Sequence, residues 1–244
     1  FDGDQLKIVR GMTDRMADRD RCMNLTNQQI ASGDWCRLGA DGSAGVPNIA
    51  IWGDSHGEAL APGIADVATR AGRQVMFAGH HGCAIGVHFQ DTGWDGRDCA
   101  AFSKATLDFL VASPTIRQVV LVSRWVPLRE APSAGNQQGM SAAASLAQVV
   151  AQLTAAGKHV WLVGPVPDVR TLVPRALYLK SMGLEQDFEL RPSVDAFHTA
   201  QIRTLAVLRD LARRPGVSLV YPHEVLCLEG WCQVERDGWP LYFD

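Results

Sequence analysis

The stretch Asn48-Ile49-Ala50-Ile51-Trp52-Gly53-Asp54-Ser55-His56 joins an apolar run to a turn of small and polar residues, and a helical pattern follows at 58–71. The apolar run predicts a buried strand that leads directly into a helix. A serine on such a turn is presented to solvent, and the N–H groups at the helix N-terminus can stabilise an oxyanion. The alternative is a plain helix N-cap, because Asp and Ser are favoured there.

Further apolar runs alternate with amphipathic patterns along the rest of the chain. Four more strands are predicted at 74–78, 119–123, 159–163 and 217–221. Three more helices are predicted at 101–112, 140–156 and 194–213. Strands that are nearly continuous in apolar residues are typical of a parallel sheet covered on both faces. We therefore expect an α/β protein, a three-layer α/β/α sandwich with about five parallel strands.

Length and charge narrow the class of protein. The chain has 244 residues, 47% of them hydrophobic, and a formal net charge of −3. It can bury one sizeable core and lacks the excess positive charge that would bind nucleic acid. No apolar run approaches the ~18–20 residues that cross a bilayer as a helix. Because the chain starts with Phe1 rather than Met and ends abruptly at Asp244, we expect a piece of a longer protein.

The six cysteines fall into three pairs that are close in sequence. The pairs are Cys22 and Cys36, Cys83 and Cys99, and Cys227 and Cys232. An even count predicts three disulfides, although six cysteines allow 15 pairings. Disulfides indicate an oxidising compartment such as the bacterial periplasm. Metal binding is the alternative, but no Cys-x-x-Cys occurs and the histidines are not spaced like zinc ligands, so no metal site is predicted.

Several polar or aromatic residues directly follow predicted strands. Ser55 follows the first strand, His80 and His81 follow the second, and Trp125 follows the third. Ligands of such folds bind beyond the carboxyl ends of the parallel strands, so we expect these residues on one edge of the sheet. His80, His81 and Trp125 are candidates for substrate contact there. The alternatives are loop exposure for the histidines and burial for the tryptophan.

Four segments together resemble a known family. They are Gly-Asp-Ser-His at 53–56, Val-Leu-Val-Ser-Arg-Trp at 120–125, Gly-Pro-Val-Pro at 164–167, and the ending Cys227…Cys232…Pro-Leu-Tyr-Phe-Asp. They resemble the SGNH hydrolase superfamily, with its flavodoxin-like fold, and most of all the periplasmic SGNH domain fused to membrane-bound acyltransferase-3 proteins. The resemblance covers 46–244. It implies that 1–45 is an extension linking this domain to preceding transmembrane helices.

The resemblance implies a catalytic triad with Ser55 as the nucleophile. The family's Asp-x-x-His block follows a Tyr-containing strand end, so Asp244 is the implied aspartate and the histidine base is expected three residues beyond the chain end. That base would take the Ser55 proton during attack on an acyl carbonyl, with the aspartate orienting it. Asp195 and His198 form the alternative Asp-x-x-His pair, or simply a solvated helix start.

The resemblance also implies an oxyanion hole. The N–H groups of Ser55 and Gly82 are the first two expected donors. The family's asparagine after the third strand is replaced here by Arg124 or Trp125. Arg124 could supply guanidinium donors instead, or it could pair with a carboxylate at the edge of the sheet.

The implied function is O-acyl transfer. The domain would pass an acyl group, in the simplest case acetyl, through an acyl-serine to a hydroxyl of a bacterial cell-surface polysaccharide such as lipopolysaccharide O-antigen. A carbohydrate acetylesterase, with water as the acceptor, and a non-catalytic glycan-binding module are the alternatives.

The resemblance also sets the expected partners and location. The partners are the transmembrane acyltransferase-3 domain of the same chain and a carbohydrate acceptor, with no nucleic acid. No cofactor is expected in the domain itself, because the membrane domain would supply the acyl donor, with acetyl-CoA as one source. The expected location is the periplasmic side of a bacterial inner membrane.

Overall fold

The computed structural model describes residues 3–39, 46–87, 98–129, 140–184 and 189–243, with only the backbone described for Pro127 and Arg129. The chain divides into two compact units. The sheet unit consists of Met16–Pro165 and Arg203–Val220. The C-terminal unit, named for its last segment, consists of Phe1–Arg15, Val166–Ile202 and Tyr221–Asp244.

The described residues form the following elements in chain order: α1 (Gly3–Gly11), α2 (Arg19–Cys22), α3 (Asn27–Ser32), β1 (Cys36–Gly39), β2 (Ile49–Gly53), α4 (Ser55–Arg70), β3 (Gln74–Gly79), α5 (Cys99–Ala112), β4 (Gln118–Val122), α6 (Val126–Arg129), α7 (Ala142–Ala155), β5 (His159–Val163), α8 (Val173–Ser181), α9 (Val194–Leu211), β6 (Val217–Val220), α10 (Pro222–Leu226), β7 (Cys227–Leu228), β8 (Trp231–Cys232), β9 (Glu235–Arg236) and β10 (Trp239–Pro240).

The sheet unit is built on a six-stranded sheet with the order β1-β3-β2-β4-β5-β6. The five strands from β3 to β6 in this order are parallel, which confirms the prediction. The sequence did not predict β1, which pairs antiparallel with β3. This strand comes from the segment 1–45, so part of the expected linking extension is folded into the sheet. The position of the domain boundary at residue 45 stays a prediction.

Alternate residues of the central strands face opposite sides of the sheet, as the period of 2 requires. Trp52 of β2 and Leu121 of β4 lie in an apolar cluster with α3, α5, α7 and the end of α9. Ile51 and Val122, one position along each strand, lie in a second cluster with α4. Helices therefore cover both faces, and the predicted three-layer α/β/α sandwich is confirmed.

The C-terminal unit has a small apolar cluster of its own. Its buried members are Ile8, Val173, Leu177 and Val234. Tyr242 packs against this cluster, and its hydroxyl donates a hydrogen bond to the carbonyl oxygen of Pro167 at 3.0 Å. Burial raises the pKa of Tyr242 to about 12, and the negative charge of Asp168 adds to the effect. The chain just before Asp244 is thus anchored in this unit.

All three cysteine pairs predicted from their spacing are joined in the structure. Cys22–Cys36 ties α2 to β1, and Cys83–Cys99 ties the turn after β3 to the first residue of α5. Cys227–Cys232 closes the hairpin of β7 and β8. In the part of the chain that the structure describes, no helix is both long and apolar enough to cross a membrane.

Candidate functional site

The turns after four parallel strands lie side by side on the carboxyl edge of the sheet. Gly53 at the end of β2 is in register with Gly79 of β3 and Val122 of β4, and Val122 is in register with Val163 of β5. The N–H of His80 also donates to the carbonyl oxygen of Gly53 at 3.1 Å. The turn after β3 is therefore held directly against the turn that carries Ser55.

The turn after β2, residues 53–56, is called here the Ser55 turn. Ser55 is partly buried and is the first residue of α4, a helix of 16 residues. The helix begins three residues earlier than predicted because Asp54 caps it, its Oδ1 accepting the N–H of His56 at 2.8 Å. Among the described residues, neither the hydroxyl nor the N–H of Ser55 has a hydrogen-bond partner.

A glycine at the end of β2 lets α4 start close to the sheet. A Cβ on Gly53 would overlap the carbonyl oxygen of Val122 and would lie only 2.9 Å from the Cα of Gly57. Any side chain at position 53 would therefore push α4 away from β4. The glycine thus fixes where Ser55 emerges from the strand.

Asp54 also connects the Ser55 turn to the turn after β4. Its Oδ2 accepts the Ser123 hydroxyl at 2.7 Å and the Arg124 N–H at 2.8 Å, and its side chain is buried. Ser123 Oγ in turn accepts the Trp125 N–H at 3.3 Å. Sequence reasoning assigned Asp54 only as a possible cap. The polar Ser123 at the end of an otherwise apolar strand is the signal that could have revealed the connection.

The turn after β4, residues 123–125, is called here the Trp125 turn. The prediction that Trp125 contacts substrate is wrong, because its ring is 3% exposed and lies in the apolar cluster of that face. The indole N–H donates to the carbonyl oxygen of Val163 at 2.8 Å. The backbone of Trp125 has a φ of 58°, which is unusual for a bulky residue, and the bonds around Asp54 hold it there.

Arg124 and Gly82, the other two predicted sources of oxyanion donors, differ in the hydrogen bonding of their backbone N–H groups. The N–H of Arg124 is used by Asp54, while its side chain is exposed. Gly82 lies in the turn after β3 with a φ of 69°, and its N–H has no hydrogen-bond partner among the described residues. The roles of Gly82 and of the Arg124 guanidinium stay predictions.

His80 does not lie on an exposed edge, so its predicted contact with substrate is wrong. Its side chain is 1% exposed and its ring packs against Phe102. The ring Nδ1 lies 3.1 Å from the carbonyl oxygen of His81 and 3.3 Å from the sulfur of Cys83. His80 therefore stabilises the turn after β3 from inside, next to the Cys83–Cys99 disulfide.

His81 has a different environment from its neighbour, because its side chain is 23% exposed. Its Nε2 lies 3.0 Å from Nη2 of Arg19 and 3.8 Å from Oε2 of Glu58. Its backbone N–H donates to Oδ1 of Asn24 at 3.1 Å. Glu58 is three residues after Ser55, so the imidazole of His81 lies against the first turn of α4.

The pKa of His81 lies below its ordinary value. Burial is the main cause, and the positive charges of Arg19 and His80 lower it further. The negative charges of Glu58 and Asp54 oppose the shift without overcoming it. The neutral imidazole is therefore favoured in the folded protein.

Arg19 and Glu58 were not found from the sequence. Arg19 Nε and Glu58 Oε1 face each other at 2.6 Å as an ion pair, without the alignment of a hydrogen bond, and Glu58 is 3% exposed. Arg19 lies in the segment expected to be a linker, far from the site in sequence. An acidic residue in the first turn of a helix is also common at solvent-exposed helix starts, so Glu58 carried no local signal.

The remaining predicted pair lies in the C-terminal unit. Asp195 and His198 are exposed in the first turn of α9, where the ring of His198 stands edge-on to His223 at 5.5 Å between centroids. Their role as an alternative catalytic pair stays a prediction. Asp244 lies outside the described residues. Within those residues, no group of three or more His, Cys, Asp or Glu side chains could hold a metal ion.

The fold and the Ser55 turn together define an α/β/α protein of the SGNH type, in which a serine opens the helix after a central parallel strand. A family model described as the SGNH domain fused to AT3 domains matches residues 21–244. The chain belongs to this family. The match begins before β1 and includes Asp244, and it also contains Cys22 and Cys36.

A solved structure shares the fold. The periplasmic domain of the lipopolysaccharide acetyltransferase of Salmonella ser. Paratyphi A aligns with a TM-score of 0.62 and 12% sequence identity, over 98% of this chain and 87% of that one. At this identity the similarity concerns the fold alone. The comparison with curated proteins finds no match.

Proposed function

We propose that this chain is the O-acyltransferase domain of a membrane-bound acyltransferase, working through an acyl-serine on Ser55. The observation that carries the proposal is the Ser55 turn, where a partly buried serine opens α4 with its hydroxyl and N–H unengaged among the described residues. Membership of a family described as fused to AT3 domains favours acyl transfer as the use of this serine.

Acyl transfer through Ser55 requires a base, a carboxylate that orients this base, and hydrogen-bond donors for the oxyanion. The Ser55 oxygen forms a bond to the acyl carbon while its proton passes to the base. The histidine expected three residues after Asp244 is the proposed base, and Asp244 is the proposed orienting group. The N–H groups of Ser55 and Gly82 are proposed to bind the carbonyl oxygen as it becomes negative, aided by the N-terminal dipole of α4.

Asp54 holds this arrangement together without taking part in the proton transfer. Both of its oxygens accept hydrogen bonds within the fold, from the N–H groups of His56 and Arg124 and from the Ser123 hydroxyl. These bonds fix the Ser55 turn against β4. Asp54 is therefore a positioning residue, and Asp244 is the proposed triad member.

The acceptor is proposed to be a hydroxyl of a bacterial cell-surface polysaccharide such as lipopolysaccharide O-antigen. The neighbouring structure, a lipopolysaccharide acetyltransferase domain, supports this choice of class. The acyl group, proposed to be acetyl, would arrive through a transmembrane AT3 domain of the same chain, with acetyl-CoA as one source and no cofactor held by the SGNH domain. The domain would then act on the periplasmic side of the inner membrane, and its three disulfides are compatible with that compartment.

An acceptor competition tests the proposal. A chain that carries the histidine expected after Asp244 is incubated with 4-nitrophenyl acetate and soluble O-antigen oligosaccharides, and the products are analysed by mass spectrometry. Acetylated oligosaccharide that forms with wild type and not with Ser55→Ala is expected. Release of acetate alone, at a rate that does not depend on the oligosaccharide concentration, would indicate an esterase. Oligosaccharide binding without either product would indicate a glycan-binding module.

A further inference from the structure

The oxyanion hole proposed above has only two donors, both of them backbone N–H groups. The turn after β4 does not supply a third from its backbone or its tryptophan. The Arg124 N–H is bound to Asp54, and the Trp125 indole N–H is bound to Val163. The backbone N–H of Trp125 is directed to Ser123 Oγ. Apart from the Arg124 guanidinium, whose role stays a prediction, a further donor would have to come from another element.

In the turn after β3, the contact between His81 and Arg19 determines which ring nitrogen of His81 can donate a hydrogen bond. A guanidinium group has only donors, so the contact between Arg19 Nη2 and His81 Nε2 at 3.0 Å requires that Nε2 accepts. A neutral imidazole that accepts at Nε2 carries its proton on Nδ1. In the described part of the chain, this Nδ1–H has no hydrogen-bond partner, and the side chain is partly open to solvent.

Two further contacts fix this imidazole in place. Glu58, buried in the first turn of α4, forms an ion pair with Arg19 at 2.6 Å. If Arg19 moved away from the His81 ring, the buried Glu58 carboxylate would lose its partner, which is costly. The N–H of His81 is bound to Asn24, which fixes the backbone of the turn. His81 also directly precedes Gly82, whose N–H is the second donor proposed for the oxyanion.

We propose that His81 is a catalytic residue that donates its Nδ1–H to the carbonyl oxygen of the acyl group attacked by Ser55, with Arg19 as the positioning residue that fixes the required tautomer. The inference rests on the proposed function. When the Ser55 oxygen bonds to the acyl carbon, the electron pair of the C=O bond moves to the carbonyl oxygen, which the Nδ1–H stabilises. When the intermediate collapses, that pair re-forms the C=O bond and the leaving group departs with the proton from the base.

Rates of Ser55 acetylation by 4-nitrophenyl acetate test the donor role, in a chain that carries the histidine expected after Asp244. His81→Ala should lower kcat and kcat/KM together by about 10²-fold with little change in KM, because the lost bond forms only in the transition state. His81→Asn keeps an N–H donor and should recover most of the rate. His159→Ala is the matched control, since His159 is also partly buried and its ring lies 3.0 Å from Ser218 Oγ at the opposite edge of the sheet.

The outcomes separate this inference from the proposed function. If Ser55→Ala loses activity but His81→Ala reacts like wild type, the His81 role is wrong and the function stands. If Ser55→Ala reacts like wild type, the function is wrong, and the His81 role is wrong with it. An equal loss in His81→Ala and His81→Asn, with both variants folded, would also contradict donation by this side chain.

The tautomer is tested without any activity measurement. Ring nitrogen chemical shifts of ¹⁵N-labelled His81 should show a protonated Nδ1 and an unprotonated Nε2 in the wild-type protein near neutral pH. In Arg19→Met the two tautomers should mix, because nothing then requires Nε2 to accept. A proton found on Nε2 in the wild type would overturn the inference.

Discussion

The Ser55 turn and the Trp125 turn end two adjacent strands in register, yet they use their polar groups in opposite ways. In the Ser55 turn, the serine hydroxyl and N–H are unengaged among the described residues. In the Trp125 turn, the backbone N–H groups of Arg124 and Trp125 and the indole N–H are all bound within the fold. Within the described residues, one turn leaves these serine groups unengaged, and the other uses its donors to support its neighbour.

Asp54 explains how the two turns can differ. Its carboxylate lies between them and accepts donors from both sides. A charged acceptor bound by several donors is strongly stabilised when it is buried, so the Trp125 turn acts as a rigid support. The difference teaches that a residue at the carboxyl edge of a parallel sheet is not a ligand-binding residue by position alone; its hydrogen bonds decide.

The comparison predicts that Ser55→Ala affects chemistry far more than stability. The rate of acetyl transfer should fall by about 10³-fold or more, because the nucleophile is removed. The urea midpoint should change little, since the Ser55 side chain makes no hydrogen bond among the described residues. Transfer that persists in a fully folded variant would remove Ser55 from the mechanism.

The support role predicts a large loss of stability on changing Asp54. Asp54→Ala removes the helix cap and the acceptor of the Ser123 hydroxyl and the Arg124 N–H, so the free energy of unfolding should fall by about 3 kcal/mol. Asp54→Asn should lose less, because an amide oxygen still accepts. Urea unfolding with the disulfides intact measures both. Equal stability in the three proteins would mean that the two turns are not coupled through this residue.

A smaller effect is expected at Trp125. Trp125→Phe keeps an aromatic ring in the core but removes the bond from the indole N–H to Val163, which should cost about 1–2 kcal/mol. The acceptor oligosaccharide should bind as in the wild type, because the ring is buried. A weakened oligosaccharide affinity in the folded variant, measured by calorimetry, would restore Trp125 as a candidate for substrate contact.

The smallest predicted effect concerns pH. The folded protein lowers the pKa of His81 below 6.5, so the unfolded chain binds the proton more readily. Stability should therefore be complete above the unfolded pKa and fall as the pH decreases below about 6.5. Glu58, Asp54, Arg19 and His80 are the charged or titratable groups around this ring, and they remain in His81→Asn. That variant should show a shallower decrease, and an unchanged slope would contradict the shift.

The sheet was predictable because its signal is local. Each of the five parallel strands is an apolar run, and each was located within one residue at both its start and its end. The edge strand β1 was missed because Cys36-Arg37-Leu38-Gly39 has little apolar pattern and gains its place by pairing with β3. Secondary structure that depends on a partner strand leaves a weaker trace in the sequence than a buried run does.

The site was only partly predictable, for a related reason. Ser55 was identified because strand, turn and helix are contiguous. His80 packs against Phe102 and Trp125 is bonded to Val163, both distant in sequence, and the two side chains are buried, so both predictions of substrate contact are wrong. The contact between Arg19 and His81 joins residues 62 positions apart. Hydrogen bonds of this range follow from the fold and cannot be inferred from spacing.

The most direct test of the central claim is the intact mass of the protein after brief incubation with 4-nitrophenyl acetate, in a chain that carries the histidine expected after Asp244. We expect a gain of one acetyl group, located on Ser55 by peptide mapping, absent from Ser55→Ala, and lost faster with oligosaccharide than with buffer alone. An acetyl group on another residue, or the same gain in Ser55→Ala, would contradict it.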